Sequence, residues 1–138
     1  VPQGATVLVD TAPWIYLLDG HRTLAGLFVG LFERAERGQL KLALSTITLA
    51  EVLTGPHRTG QMALAGRYEA ALKRHTVAEL SASVAARAAA LRARYRLKLP
   101  DAIQLASALE LGAFALVTHD RDFSAVRDLP VMMGEPAA

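Results

Sequence analysis

Apolar residues recur along this chain in two rhythms that alternate. Short apolar runs at Thr6 to Val9, Lys41 to Ser45 and Ala115 to Thr118 read as buried strands, with Thr76 to Glu79 a shorter candidate and Val131 to Met133 an edge strand. Helical spacing fills the intervals. One helix opens after Asp10-Thr11 with Pro13 just inside it, and a second is expected over Thr23 to Arg37, closed by Gly38 and carrying Leu24, Leu27, Phe28, Leu31 and Phe32 on one face. A third covers Thr46 to Thr54 and stops at Gly55-Pro56, and a fourth runs from Gln61 to Arg74. Ser81 to about Arg96 places Val84, Ala88, Leu91 and Tyr95 in one stripe. Pro100 to Leu111 forms a further helix ended by Gly112, and Asp122 to Arg127 a short one.

Strands separated by helices predict an α/β chain whose mostly parallel sheet is covered on both faces. Ligand sites in such sheets lie beyond the carboxyl ends of the strands, where Asp10 and Asp120 fall. No repeat or linker interrupts the pattern, so residues 1–138 are expected to form a single domain.

Composition narrows the chemistry. With 52% apolar and 20% charged residues the chain can bury an ordinary core. It has no cysteine, which removes thiolate nucleophiles, zinc knuckles and iron–sulfur sites. The longest N-terminal apolar stretch, Thr6 to Leu18, is broken by Asp10 and Pro13 and is too short to span a membrane. No positively charged leader precedes it, so a soluble cytoplasmic domain is the expectation.

The net charge of +2 is unevenly placed. Leu80 to Pro100 holds Arg87, Arg92, Arg94, Arg96 and Lys98 with no acid, and the remaining 10 basic and 13 acidic residues leave the rest of the chain at −3. Such a strip fits a phosphate backbone, and it equally fits a solvated helix face.

Four acids stand out by isolation. Asp10 is the only charged side chain between Val1 and Leu18, and Glu51 the only one between Leu42 and Pro56. Asp101 is the only acid from Leu80 to Leu109, and Asp120 follows the uncharged run Leu111 to His119. A carboxylate beside an apolar face is costly unless something positive compensates it. Each has an ordinary explanation too: Asp10 as a helix cap, Asp101 in a first helical turn, Asp120 shaping a turn with Asp122 capping the next helix. Glu51 has no basic residue within a helical turn. Brought together, the four would make an all-oxygen site suited to Mg²⁺ or Mn²⁺ and to phosphodiester cleavage by activated water. The histidines show no metal-ligand spacing, and His119 reads as a solvent-facing turn residue.

Val7-Leu8-Val9-Asp10-Thr11, Thr48-Leu49-Ala50-Glu51-Val52, Leu99-Pro100-Asp101-Ala102-Ile103 and Val117-Thr118-His119-Asp120-Arg121-Asp122-Phe123 resemble, in order and spacing, the motifs of PIN-domain proteins, above all the VapC-like toxins of toxin–antitoxin pairs. The resemblance implies a three-layer α/β/α sandwich around a parallel sheet and a Mg²⁺- or Mn²⁺-dependent endoribonuclease. It further implies that Asp10, Glu51, Asp101 and Asp120 are the catalytic, metal-holding acids. Thr11 and Thr118 match the small polar residue after the first acid and the hydroxyl position near the metal. Asp122 competes with Asp120 as the fourth acid.

Implied partners are RNA, with Arg87, Arg92, Arg94, Arg96 and Lys98 toward its backbone, and a cognate antitoxin docking near Trp14, Ile15, Leu18, Leu27, Phe28, Leu31 and Phe32. A homodimer is implied as well. Ala12 stands where a dehalogenase-type phosphatase needs a second aspartate, and the paired acids and lysine of a receiver domain are missing. The remaining alternative is a non-catalytic PIN-like module that binds RNA or protein and holds a structural ion.

Overall fold

In a computed structural model that describes residues 1–134, five strands form one parallel sheet in the order β3-β2-β1-β4-β5. The last four residues of the expected 1–138 domain lie outside the described residues. The strands are β1 (Thr6–Val9), β2 (Lys41–Ser45), β3 (Thr76–Ala78), β4 (Ala115–Val117) and β5 (Val131–Met132), all within a residue or so of the expected runs. β1 lies at the centre, with Val7 opposite Leu42 on one side and Leu8 opposite Leu116 on the other.

Seven helices connect them among the described residues: α1 (Thr11–Leu18), α2 (Arg22–Gly26), α3 (Val29–Glu36), α4 (Thr46–Arg58), α5 (Met62–Lys73), α6 (Ala82–Tyr95) and α7 (Leu99–Leu111). Alternate residues of a strand face opposite sides, so β1 feeds two cores. Leu8 and Leu116 pack beneath Val84, Ala88 and Leu91 of α6 and Leu105 of α7. Val7, Val9 and Val117 pack with Trp14, Phe28, Phe32 and Leu72 on the other face. The result is the α/β/α sandwich that the resemblance implied. No helix among the described residues is long and apolar enough to cross a membrane.

Three expected elements differ. The helix expected over Thr23 to Arg37 is two helices, because Phe28 takes a non-helical backbone (φ −120°, ψ 4°) and drives its ring into the core at 2% exposure. Gly26 and Gly30 flank the break and lower the cost of interrupting the helix there. The helix expected to stop at Gly55-Pro56 runs through them to Arg58. Gly55 lacks the Cβ that would clash with the proline ring, and Pro56 is buried. The short helix expected over Asp122 to Arg127 is a single 3₁₀ turn, Arg121–Phe123, and it is started by Asp120 rather than Asp122. The Asp120 carboxylate accepts the Asp122 N–H at 2.8 Å, so the first free donor is taken one step earlier.

Candidate active site

Asp10 leaves the end of β1 and caps α1, its Oδ1 accepting the Thr11 N–H at 2.8 Å. Capping leaves most of the carboxylate unsatisfied, and the fold supplies two more donors. Thr118, one residue beyond β4, donates its hydroxyl to Oδ2 at 2.8 Å, and Gln104 of α7 donates to Oδ1 at 3.0 Å. Asp10 is 8% exposed, and burial pushes its pKa up. The Thr118 and Thr11 hydrogen bonds counter that rise, while the Glu51 and Asp120 charges add to it.

Gln104 organises this network and was not singled out from the sequence. It is 1% exposed, and its amide group also reaches Thr48 Oγ1 at 2.8 Å and Thr11 Oγ1 at 3.3 Å. Its carbonyl accepts the Ser45 hydroxyl at 2.7 Å. The signal available was one amide inside the run Ala102 to Ala108, a turn beyond Asp101. Thr11 donates to Glu51 Oε1 at 2.7 Å. A hydroxyl has one proton, so across the 3.0 Å contact between Thr48 and Thr11 it is Thr48 that donates. A chain of hydrogen bonds therefore runs from Ser45 through Gln104, Thr48 and Thr11 to the exposed Glu51.

The other acids gather separately. Asp101, in the first turn of α7, offers a carboxylate oxygen within 4.8 Å of oxygens of both Asp120 and Asp122. Asp101 Oδ2 is buried with no hydrogen-bond partner. Burial raises the Asp101 pKa to about 6, helped by the charges of Asp120, Asp10 and Asp122 and opposed by Lys98. Thr118 joins the two groups, since its hydroxyl accepts the Asp120 N–H at 3.0 Å while donating to Asp10. Asp10 and Glu51 stand outside the trio, Asp10 coupled by charge to Asp101 and Asp120 and Glu51 to Asp10; Asp122 stands inside it.

His119 is half-buried, not solvent-facing, because Tyr16 Oη bonds its Nδ1 at 2.9 Å and Phe28 packs edge-on to its ring. The five basic residues of the strip are all exposed but not equivalent. Arg87 lies 3.9 Å from Glu110, and Arg94 3.1 Å from Asp128. Arg92 bonds the Leu97 carbonyl with Nε. Among the described residues, no acid pairs with Arg92, Arg96 or Lys98.

No curated protein matches the chain. A family model described as PIN domain matches residues 7–129. Among solved structures the chain is similar to a toxin–antitoxin complex from Klebsiella pneumoniae, at 32% identity over 94% of this chain and 98% of that one, with TM-score 0.74. It is similar in fold to DNA-bound VapBC from Salmonella typhimurium (17% identity, 92% and 96% covered, TM-score 0.75). The same holds for VapC20 from Mycobacterium tuberculosis, a toxin that cleaves the sarcin–ricin loop (22% identity, 86% and 93% covered, TM-score 0.65).

Proposed function

The chain belongs to the PIN-domain family, with the fold of VapC-like toxins, and on that premise we propose that it is a metal-dependent endoribonuclease, the toxin of a toxin–antitoxin pair. The carrying observation is the gathering of Asp101, Asp120 and Asp122 beyond β4, with a buried, partnerless oxygen on Asp101. The donors are carboxylate oxygens without imidazole or sulfur, which fits Mg²⁺ or Mn²⁺. An oxygen with no donor and a proton held to about pH 6 are what a cation would relieve. Asp10, Asp101 and Asp120 would hold the ion, with Glu51 completing the site and Asp122 able to share it. Bound there, the ion would polarise a phosphoryl oxygen, lower the pKa of a water and offset charge building in the transition state.

The chain's own residues do the rest. Thr118 and Gln104 fix both oxygens of Asp10. Glu51 accepts the Thr11 hydroxyl's hydrogen bond on Oε1, and its other oxygen would orient the attacking water. Water adds to phosphorus in line with O3′, the P–O3′ bond breaks, and the products carry a 5′-phosphate and a 3′-hydroxyl. Arg92, Arg96 and Lys98 meet the RNA backbone, since Arg87 and Arg94 already face acids of the same chain. An antitoxin segment fills the cavity of about 710 Å³ that Leu27, Phe28, Leu31, Val117 and Met132 help to line. The Klebsiella relative, a toxin–antitoxin complex, and the RNA-cleaving VapC20 support these two partners. Self-association belongs to the same proposal, and RNA as substrate puts the work in the cytoplasm.

The test is cleavage of a mixed RNA panel with Mg²⁺ or Mn²⁺, beside EDTA and Asp10→Asn. Metal-dependent cleavage lost in the variant, with the fold retained, supports the proposal. Cleavage retained by Asp10→Asn rejects the site, and folded protein that binds metal but cuts no RNA supports a binding module instead.

A further inference from the structure

Four aromatic rings form a chain of contacts that reaches His119, the residue before Asp120, and nothing in the cleavage chemistry uses them. Phe28, buried at 2% exposure, forms the floor. The half-buried Tyr16 and His119 pack against it, and the exposed His21 packs against Tyr16. Tyr16 sits 6.4 Å from Phe28, 5.9 Å from His21 and 5.6 Å from His119, centroid to centroid, and His119 meets both Tyr16 and Phe28 at 81°. His119 lies in sequence between Thr118, which holds Asp10, and Asp120 of the acidic trio.

The imidazoles are held in place. The Leu24 N–H donates to His21 Nδ1 at 3.2 Å, which leaves the proton of the neutral ring on Nε2. Tyr16 Oη and His119 Nδ1 share a hydrogen bond at 2.9 Å, which fixes the orientation of that ring in either tautomer. Neither Nε2 has a partner among the described residues. Half-exposed rings with fixed orientation, free Nε2 atoms and an N–H donor on His21 suit the face and edge of a nucleobase, whereas packing alone would be served by apolar side chains.

We propose that Tyr16, His119 and His21 form a subsite for the unpaired nucleobase next to the scissile phosphate, binding it by stacking and through an imidazole N–H. The subsite rests on the ribonuclease reading of the acids. Because stacking is available to every base, it selects for single-stranded RNA before it selects a sequence.

The test measures kcat/KM on a short single-stranded RNA and on copies made abasic, one position at a time, around the cleaved bond. Wild type, His119→Ala, Tyr16→Phe and the exposed His21→Ala are compared, with thermal melts for each. His119→Ala is expected to lose about ten-fold on the intact RNA, mostly in KM. The abasic change at one flanking position should cost wild type about as much, and the two together little more than either alone. Tyr16→Phe should lose less, and His119→Phe, which keeps a ring, should recover much of the loss. Losses that multiply at every position, or variants including His21→Ala that cut intact RNA like wild type, overturn the subsite and leave the nuclease standing. A wild type that cuts no RNA under any metal overturns both.

Discussion

Replacing Asp101 with asparagine should stabilise the metal-free protein while destroying its activity. Asp101 carries a buried oxygen without a donor, beside Asp120 and Asp122, and holds its proton up to about pH 6. An unfolded aspartate ionises near pH 4. Between those values the folded chain binds a proton that the unfolded chain has released, so wild-type stability falls as pH rises through that window. Each pH unit of difference is worth about 1.4 kcal/mol, so two units set a ceiling near 3 kcal/mol. The residue is partly open to water, and screening reduces this to about 1 kcal/mol, or a Tm rise of about 3 °C in a chain of this size. Asparagine has the volume of aspartate, carries no charge, and can donate to the neighbouring carboxylates. Urea unfolding in EDTA at pH 4 and pH 7.5 reads the effect, with m-values compared to confirm equal unfolding. The variant should gain at pH 7.5 and lose most of that gain at pH 4. Saturating Mg²⁺ should stabilise wild type more than the variant, by about 2.7 kcal/mol at a hundred-fold excess over Kd if the variant no longer binds. A variant equal to or weaker than wild type at pH 7.5, or an advantage that persists at pH 4, refutes the reasoning.

Gln104→Leu removes the amide that holds Asp10 and Thr48 and strands the Ser45 hydroxyl; urea unfolding should show a loss of about 1–3 kcal/mol, and cleavage assays a fall in kcat larger than any change in KM. Thr118→Val takes from Asp10 a hydrogen bond that lowers its pKa, so the rising limb of the pH–rate profile should move to higher pH. Neutralising Arg92 and Arg96 to glutamine should flatten the salt dependence of RNA binding by about 0.7 in log–log slope for each phosphate left without its arginine. The same changes at Arg87 and Arg94, which face Glu110 and Asp128, should leave that slope unchanged.

The layered α/β order and the four isolated acids were readable along the chain because they rest on local periodicity and on the cost of a carboxylate within an apolar segment. The Asp10 cap illustrates how far that reading extends. Capping and site chemistry stand as rival explanations in sequence, yet one carboxylate does both, since a single N–H from Thr11 leaves room for Thr118 and Gln104. The broken α2–α3 segment and the helix running through Pro56 were hidden for the opposite reason. Phe28 leaves the helix to fill a core built by distant residues, and Pro56 stays in one because its neighbour lacks a side chain.

Sequence alone determined the order of strands and helices, which acids are costly where they stand, and that the chain brings no cysteine to its chemistry. Tertiary structure alone decided who meets whom. The strand order β3-β2-β1-β4-β5 brings Gln104 to Asp10 across 94 residues and Thr118 to Asp10 across 108. It gathers Asp101 with Asp120 and Asp122, leaves Glu51 joined through Thr11, and lays His119 on Tyr16. Periodicity is a property of neighbours a few residues apart, whereas a hydrogen bond across the sheet depends on register and crossover, which no local pattern records.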